Sequence, residues 1–354
     1  MIVRDEERVI ERCLDAIKPY IHSWAICDTG SGDKTMELIE KSLDGIPGKL
    51  YQEPWKNFGH NRNLAFQHAK KHGDYALIID ADDVFTAGDG FEWPELTDRS
   101  YDMTVVSGGS SYHQSRLLAT REDWYWKGVI HEYPTLGYLF KTELVSGAKI
   151  VSMPDGNRRM MDPTVKYAED ARLIEEALKD EPDDARYLFY LAQSYRDSKQ
   201  YKKAYDAYLR RIEVGGWDEE TWYSKFQLGR LHEMMGDPWE QAFVAYIEAY
   251  RFRPSRIEPL VVIAHHCRMK DEHHLAHIFA AQAAYAPKPP DRLFMDDAAY
   301  DWFALDEYSI CCYWLGKHEE AIRGNERLLR VGPKAQHDRF RKNIAFSEKA
   351  LGIN

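Results

Sequence analysis

Along the first part of the chain, short apolar runs alternate with stretches whose apolar residues recur at helical spacing. Ile2-Val3 reads as a strand, followed by Val9, Ile10, Leu14 and Ile17 on one helix face as far as Pro19. Trp24–Cys27 is a second strand, and Met36, Ile39 and Leu43 mark a second helix, with Ser31 or Asp33 as its cap. Lys49–Gln52 is a third strand, residues 61–72 form a helix carrying Leu64, Ala65, His68 and Ala69 on one side, and Tyr75–Ile79 is a fourth strand. This β-α-β-α-β-α-β order with short links predicts a parallel, doubly wound α/β sheet. Right-handed crossovers bring the strand ends to one edge. Glu6, Asp28, the Trp55–His60 loop and Asp80–Asp83 are therefore expected to converge. Two further strands are expected over Tyr101–Gly109, running into a flexible corner, and over Tyr112–Leu118.

From about Pro163 the strand pattern gives way to helical periodicity with a loose repeat of roughly 34 residues. Leu191, Ala192, Tyr195, Tyr201, Ala204 and Tyr208 set out a first tetratricopeptide-like copy, and Leu228, Gly229, Gly236, Ala242, Tyr246, Ala249 and Pro254 a second. Ile263, Ala264, Ala276, Ala283 and Pro287 give a third, and Gly316, Ala321, Leu328 and Pro333 a weaker fourth. Each copy leaves an apolar face that only its neighbour covers, so the set stacks as one solenoid. The expected division is an α/β domain over 1–155 and an all-α repeat domain over 163–354.

Composition adds limits. The net charge of −11 gives no global attraction for nucleic acid or an anionic membrane. No apolar run approaches a membrane span, and no basic-then-apolar leader precedes the first strand. Five cysteines without Cys-x-x-Cys spacing point to reduced thiols in a cytoplasmic setting, not to zinc or a disulfide framework. The pairs His265-His266 and His273-His274 lack an ordered ligand set, which assigns them to packing and surface. Arg323, Arg327, Arg330, Lys334, Arg339, Arg341 and Lys342 form a local basic concentration, read as a solvated helix face or a contact for an anionic acceptor.

The chemistry concentrates at Tyr75–Asp83, where an apolar strand ends in Asp80, Asp82 and Asp83. Unpaired carboxylates are costly to bury, so the cluster belongs where the strand emerges, at the ligand-binding edge of an open sheet. Two acids one residue apart hold a divalent cation by oxygen ligands, with a substrate diphosphate completing the shell. Neither a Gly-x-Gly-x-x-Gly turn nor a P-loop is present.

Four ordered motifs then carry a resemblance: Val3-Arg4-Asp5-Glu6-Glu7, the stretch from Asp28-Thr29-Gly30 to Thr35, Asn61-Arg62-Asn63, and Asp80-Ala81-Asp82. Together they resemble glycosyltransferase family 2 of the GT-A fold over about the first 150 residues, with its Rossmann-like mixed sheet. The resemblance implies that Val3, Arg4 and Glu6 border the nucleotide base and that Asp28 meets base or ribose. It sets Arg62 beside the phosphates, Asp80 and Ala81 at the nucleotide, and Asp82 on Mn2+ or Mg2+. Family members usually carry a longer first strand than this one. Trp124–Glu132 resembles the segment that ends in a His-Glu pair near the acceptor.

Inverting displacement of a nucleoside diphosphate needs a carboxylate to take the acceptor's proton, and Glu132 is the candidate. His131 suits a metal ligand or a phosphate contact. Trp124 and Trp126 either stack on a sugar or pack in the core. Met153–Arg159 is either an interdomain linker or a lid, with Arg158 as a phosphate contact.

The expected protein is a metal-dependent, inverting glycosyltransferase of the hexosyltransferase type. Its donor is a nucleoside-diphosphate sugar, UDP-linked by default, with a DXD motif and an unidentified acceptor. The repeats either bind acceptor or partner, or brace the catalytic domain and pair two copies of the chain. A non-catalytic scaffold with a nucleotide sensor is the rival, and a transferase acting on modified nucleic acid a third reading.

Overall fold

The computed structural model describes residues 1–108 and 110–353; Gly109, the end of the expected 101–109 strand, lies outside them. The chain divides into two compact units, Met1–Asp180 and Glu181–Asn354.

In the first unit the expected alternation forms β1 (Ile2–Val3), α1 (Ile10–Ile17), β2 (Trp24–Asp28), α2 (Thr35–Ser42), β3 (Gly48–Gln52) and α3 (Phe58–Ala69). The three strands are parallel in the order β1-β2-β3. Helix α1 turns Ile10, Cys13, Leu14 and Ile17 inward, as its spacing predicts. After these come β4 (Tyr75–Leu77), β5 (Asp83–Ala87), β6 (Ser100–Ser107), β7 (Ser110–Ala119), β8 (Tyr125–Lys127), β9 (Tyr133–Thr135) and β10 (Glu143–Ser152). A short helix α4 (Asn157–Met160) and a long α5 (Pro163–Asp180) close the unit.

The fourth strand corrects the parallel expectation. β4 pairs antiparallel with β7, within a mixed sheet ordered β4-β7-β6-β10-β5, and among the described residues no ladder joins it to β1–β3. Apolar runs report burial on both faces but carry no strand direction, so the switch was invisible in the pattern. Ile79, Phe85, Met103, Val105, Leu117 and Ile150 build the core of this sheet. A cavity of about 360 Å³ lies between β2 and β4. Its lining is mostly apolar, with Ile17, Ala25, Phe66, Leu77 and Ile79, and Arg62 also borders it.

The second unit has helices and no strands among its described residues. Its helices pair as α6 (Ala185–Asp197) with α7 (Tyr201–Val214), α8 (Asp218–Met235) with α9 (Trp239–Phe252), α10 (Glu258–Met269) with α11 (His273–Ala283), and α12 (Ala304–Trp314) with α13 (His318–Val331). A final helix, α14 (His337–Leu351), follows. These four pairs coincide with the four copies read from the sequence. Small residues set the helix spacing: a methyl added at Gly229 would come within 2.5 Å of the Tyr246 ring. Buried charges are paired, as Arg211 with Glu220 at 2.9 Å and Arg256 with Glu258 at 2.8 Å. The histidine pairs are used in packing: His266 stacks on Trp239, His273 on Trp314, and His265 meets Glu307 at 2.8 Å. Within the basic run, Arg339 pairs with Asp306 and Arg341 with Asp338. No helix of the described residues is long and apolar enough to cross a membrane.

Candidate functional site

The exits of β1 and β2 are sewn into one floor. Thr29 donates from its amide and its hydroxyl to the Val3 carbonyl. Ser31 Oγ accepts from the Asp5 amide and Thr35 Oγ1 from the Glu6 amide, while Asp5 accepts from Gly32 and Glu7 from Lys34. Asp33 ties Glu7 to Thr35 at the start of α2. Asp28 is buried, and its carboxylate accepts from the Gly30 and Ser31 amides of its own turn. Val3 and Ala81 lie among the core side chains with Ile10 and Ile26, so only their backbones border the floor. Arg4 is exposed and lies 3.7 Å from Asp5.

Helix α3 supplies the central cation. Asn57 caps it by accepting from the His60 amide, which starts the helix at Phe58, ahead of the expected Asn61. Asn61, fully buried, instead braces the preceding loop through Lys56 and Pro54. Phe58 donates to the Val129 carbonyl and Asn63 accepts from the Trp126 amide, so α3 is laced to the segment leading to Glu132. Gly59 lies so close to the Gly128 carbonyl that a methyl group would overlap it. Arg62 then reaches both ways, Nε to Glu132 Oε1 at 2.6 Å and Nη2 to Asp80 Oδ1 at 2.8 Å. One guanidinium thus joins residues far apart in sequence.

The three acids of the Asp80–Asp83 turn have separate fates. Asp80 is held by Arg62 and, at 3.5 Å, by Arg116 on β7. Burial works to raise its pKa, and the two arginines overcome it, keeping Asp80 below the ordinary carboxylate range. Asp83 is fully buried and closes the turn by accepting from the Asp80 amide; burial and the neighbouring Asp80 push it upward. Asp82 faces Arg159, whose Nε lies 3.1 Å from Asp82 Oδ2. Burial lifts Asp82 and Arg159 opposes it, with a net shift above the ordinary range. Glu6 accepts from the Asn157 amide at 3.0 Å. Burial, then the neighbouring Asp82, Asp33 and Asp80, push it up to about 7 against that hydrogen bond.

Several expected residues stand elsewhere. Trp124 and Trp126 are buried with Phe66 and Leu118, which makes them packing residues and removes sugar stacking. Arg158 is turned from the acids: it pairs with Asp170 on α5 and lies over the Phe58 ring. Its neighbour Arg159 takes the place at Asp82. His131 is exposed, in a left-handed conformation with φ 51°, beside Glu132. Arg12 and Arg116 were not singled out from the sequence, and Asp155 and Arg159 entered only within the Met153–Arg159 linker or lid. Arg116 follows a run of polar residues on β7 and carried no signal, and the Arg12–Asp155 pair joins residues far apart in sequence.

The donor set fits a hard cation only in part. Among the described residues no three His, Cys, Asp or Glu side chains gather as a ligand shell. Both Asp80 oxygens face arginines, which leaves Asp82 as the carboxylate of the motif able to serve an ion.

Residues 1–122 match the family described as glycosyl transferase family 2. The N-terminal part of the chain is a family 2 glycosyltransferase domain. The SPbeta prophage-derived glycosyltransferase SunS of Bacillus subtilis is 28% identical over 87 residues, 24% of this chain and 20% of that protein. A TPR repeat-containing protein of Synechococcus elongatus is 36% identical over 84 residues, 23% of this chain and 19% of its own length. The chain thus matches about a fifth of the length of these curated relatives. Solved structures similar to it include the C-terminal part of a TPR repeat-containing protein from Cytophaga hutchinsonii. That match has a TM-score of 0.41 at 14% identity, covering 52% of this chain and 67% of the other. YrrB, described as a TPR protein with an unusual peptide-binding site, has a TM-score of 0.37 at 13% identity, covering 50% and 84%.

Proposed function

We propose that the chain transfers a sugar from a nucleoside-diphosphate sugar to an acceptor with inversion, using the acids gathered on the family 2 domain. The observation that carries this reading is the Arg62 bridge, which joins the Glu132 carboxylate to the Asp80 turn in one cluster. Glu6 and the Asp28 loop form the floor beneath the nucleotide. Asp82 would hold the cation, Mn2+ or Mg2+, beside the donor's diphosphate. That cation, when bound, supplies positive charge to the diphosphate and eases its departure.

Arg62 orients Glu132 by engaging one of its two oxygens, leaving the other to take the acceptor's proton. Arg116 and Arg62 keep Asp80 ionised and fix the turn, so that Asp82 projects from a rigid base. UDP is the first nucleotide to try. The repeats are assigned to holding the acceptor or a protein partner, and two copies of the chain pair through them. The protein works in the cytoplasm.

Thermal unfolding of the full chain with UDP or GDP, with and without Mn2+, tests donor binding. Nucleotide at about 100 times its Kd should stabilise by about 2.7 kcal/mol, and only with the cation present. Stabilisation that ignores excess chelator would remove the metal, and none with either nucleotide would remove the donor site.

A further inference from the structure

After β10 the chain crosses the acids as a strap, and it supplies partners to two of them, Asp82 and Glu6. The Met153 amide donates to the Asp82 carbonyl. Asp155 is clamped by both Nη atoms of Arg12 at 2.6 and 2.7 Å. Gly156 lies directly on Asp82, where a methyl group would come within 2.8 Å of its carboxylate. The Asn157 amide donates to Glu6. Arg159 spends all three kinds of guanidinium nitrogen here: Nε on Asp82, Nη1 on the Met153 carbonyl and Nη2 on Ser152 Oγ, the last two at 2.8 Å.

Two of these contacts tie Arg159 to its own strap and one ties it to the cation ligand. A guanidinium anchored in this way keeps its position when Asp82 is taken by another positive charge. Its Nε–H is then released beside the cation, where the donor's diphosphate binds, and planar guanidinium donors match phosphate oxygens. The pair with Asp82 is weak enough to exchange, since the arginine side chain is 39% exposed. Arg158 does not take this part, because Asp170 and the Phe58 ring engage it instead.

We infer that Arg159 is the exchangeable counter-charge of Asp82 and, once displaced by the cation, a ligand of the donor's diphosphate. This rests on the reading that cation and diphosphate meet at Asp82. It assigns opposite effects to one residue: Arg159 opposes binding of the bare cation and favours binding of the nucleotide.

The test uses the full chain and two readouts apart from turnover. Mn2+ binding without nucleotide is followed by loss of the free-ion EPR signal, and binding of UDP and GDP at saturating Mn2+ by calorimetry. Arg159→Gln should bind Mn2+ more tightly and nucleotide more weakly, each by about tenfold. Arg159→Lys, which keeps a charge, should restore the weaker Mn2+ binding and shows that Gln has not merely unfolded the strap. Asp82→Asn separates the two readings. If it abolishes Mn2+ binding while Arg159→Gln leaves both affinities unchanged or shifts them in the same direction, the Arg159 inference fails and the site stands. If Asp82→Asn binds Mn2+ as wild type does, the metal reading fails and takes the inference with it.

Discussion

Glu6 is where a single residue gives the site a pH dependence. Its ordinary value of 4.5 rises to about 7 on folding, because burial and three neighbouring acids disfavour its charge. Between those values the folded chain holds more protons at Glu6 than the unfolded chain does. Stability contributed here is therefore greatest below 4.5, falls as pH rises to about 7, and stays low above that. Glu6→Gln removes the titration and can keep the Asn157 hydrogen bond. Its Tm relative to wild type should thus climb across that interval, and a difference that stays flat with pH would show that Glu6 titrates normally. At this scale the acids were legible, because Asp80 and Asp82 announce themselves at the end of an apolar run. Their arginines were not: Arg62 came only from the family resemblance, and Arg159 differs from Arg158 by direction alone.

At the scale of elements, the site depends on α3 lying flush against the segment from Trp126 to Ile130. Asn63 and Phe58 make the hydrogen bonds of that seam, and Gly59 permits the approach. Gly59→Ala forces a methyl into the Gly128 carbonyl and should cost about 1–3 kcal/mol in urea unfolding. It should also weaken activity, since Arg62 would no longer reach Glu132 and Asp80 together. A stable and fully active Gly59→Ala chain would mean that the seam tolerates separation. The helices were legible from periodicity, but α3 spans Phe58–Ala69 where residues 61–72 were expected, because Asn57 caps it earlier. β5 and β10 were not anticipated: β5 begins in an aspartate and β10 alternates weakly around Gly147. Strand pairing between β4 and β7 is a tertiary choice that no local pattern encodes.

For the whole molecule, the change from an α/β to a helical pattern was plain in the sequence, since period-two and continuous apolar runs stop near Pro163; helix α5, read there as part of the repeat domain, falls in the first compact unit. The repeat was readable because Ala and Gly must recur where paired helices touch. What the repeats hold was not readable, because concave faces of solenoids differ in a few exposed side chains and not in periodicity. The proposed transfer requires Glu132 to act on the acceptor in the cleft that binds the donor. Glu132→Gln tests this most directly, by comparing release of UDP from UDP-sugars with UDP binding in the same preparation. Release should fall about 100-fold or more while Mn2+-dependent UDP binding persists. Release at the wild-type rate would contradict the assignment of the base and the cleft built around it.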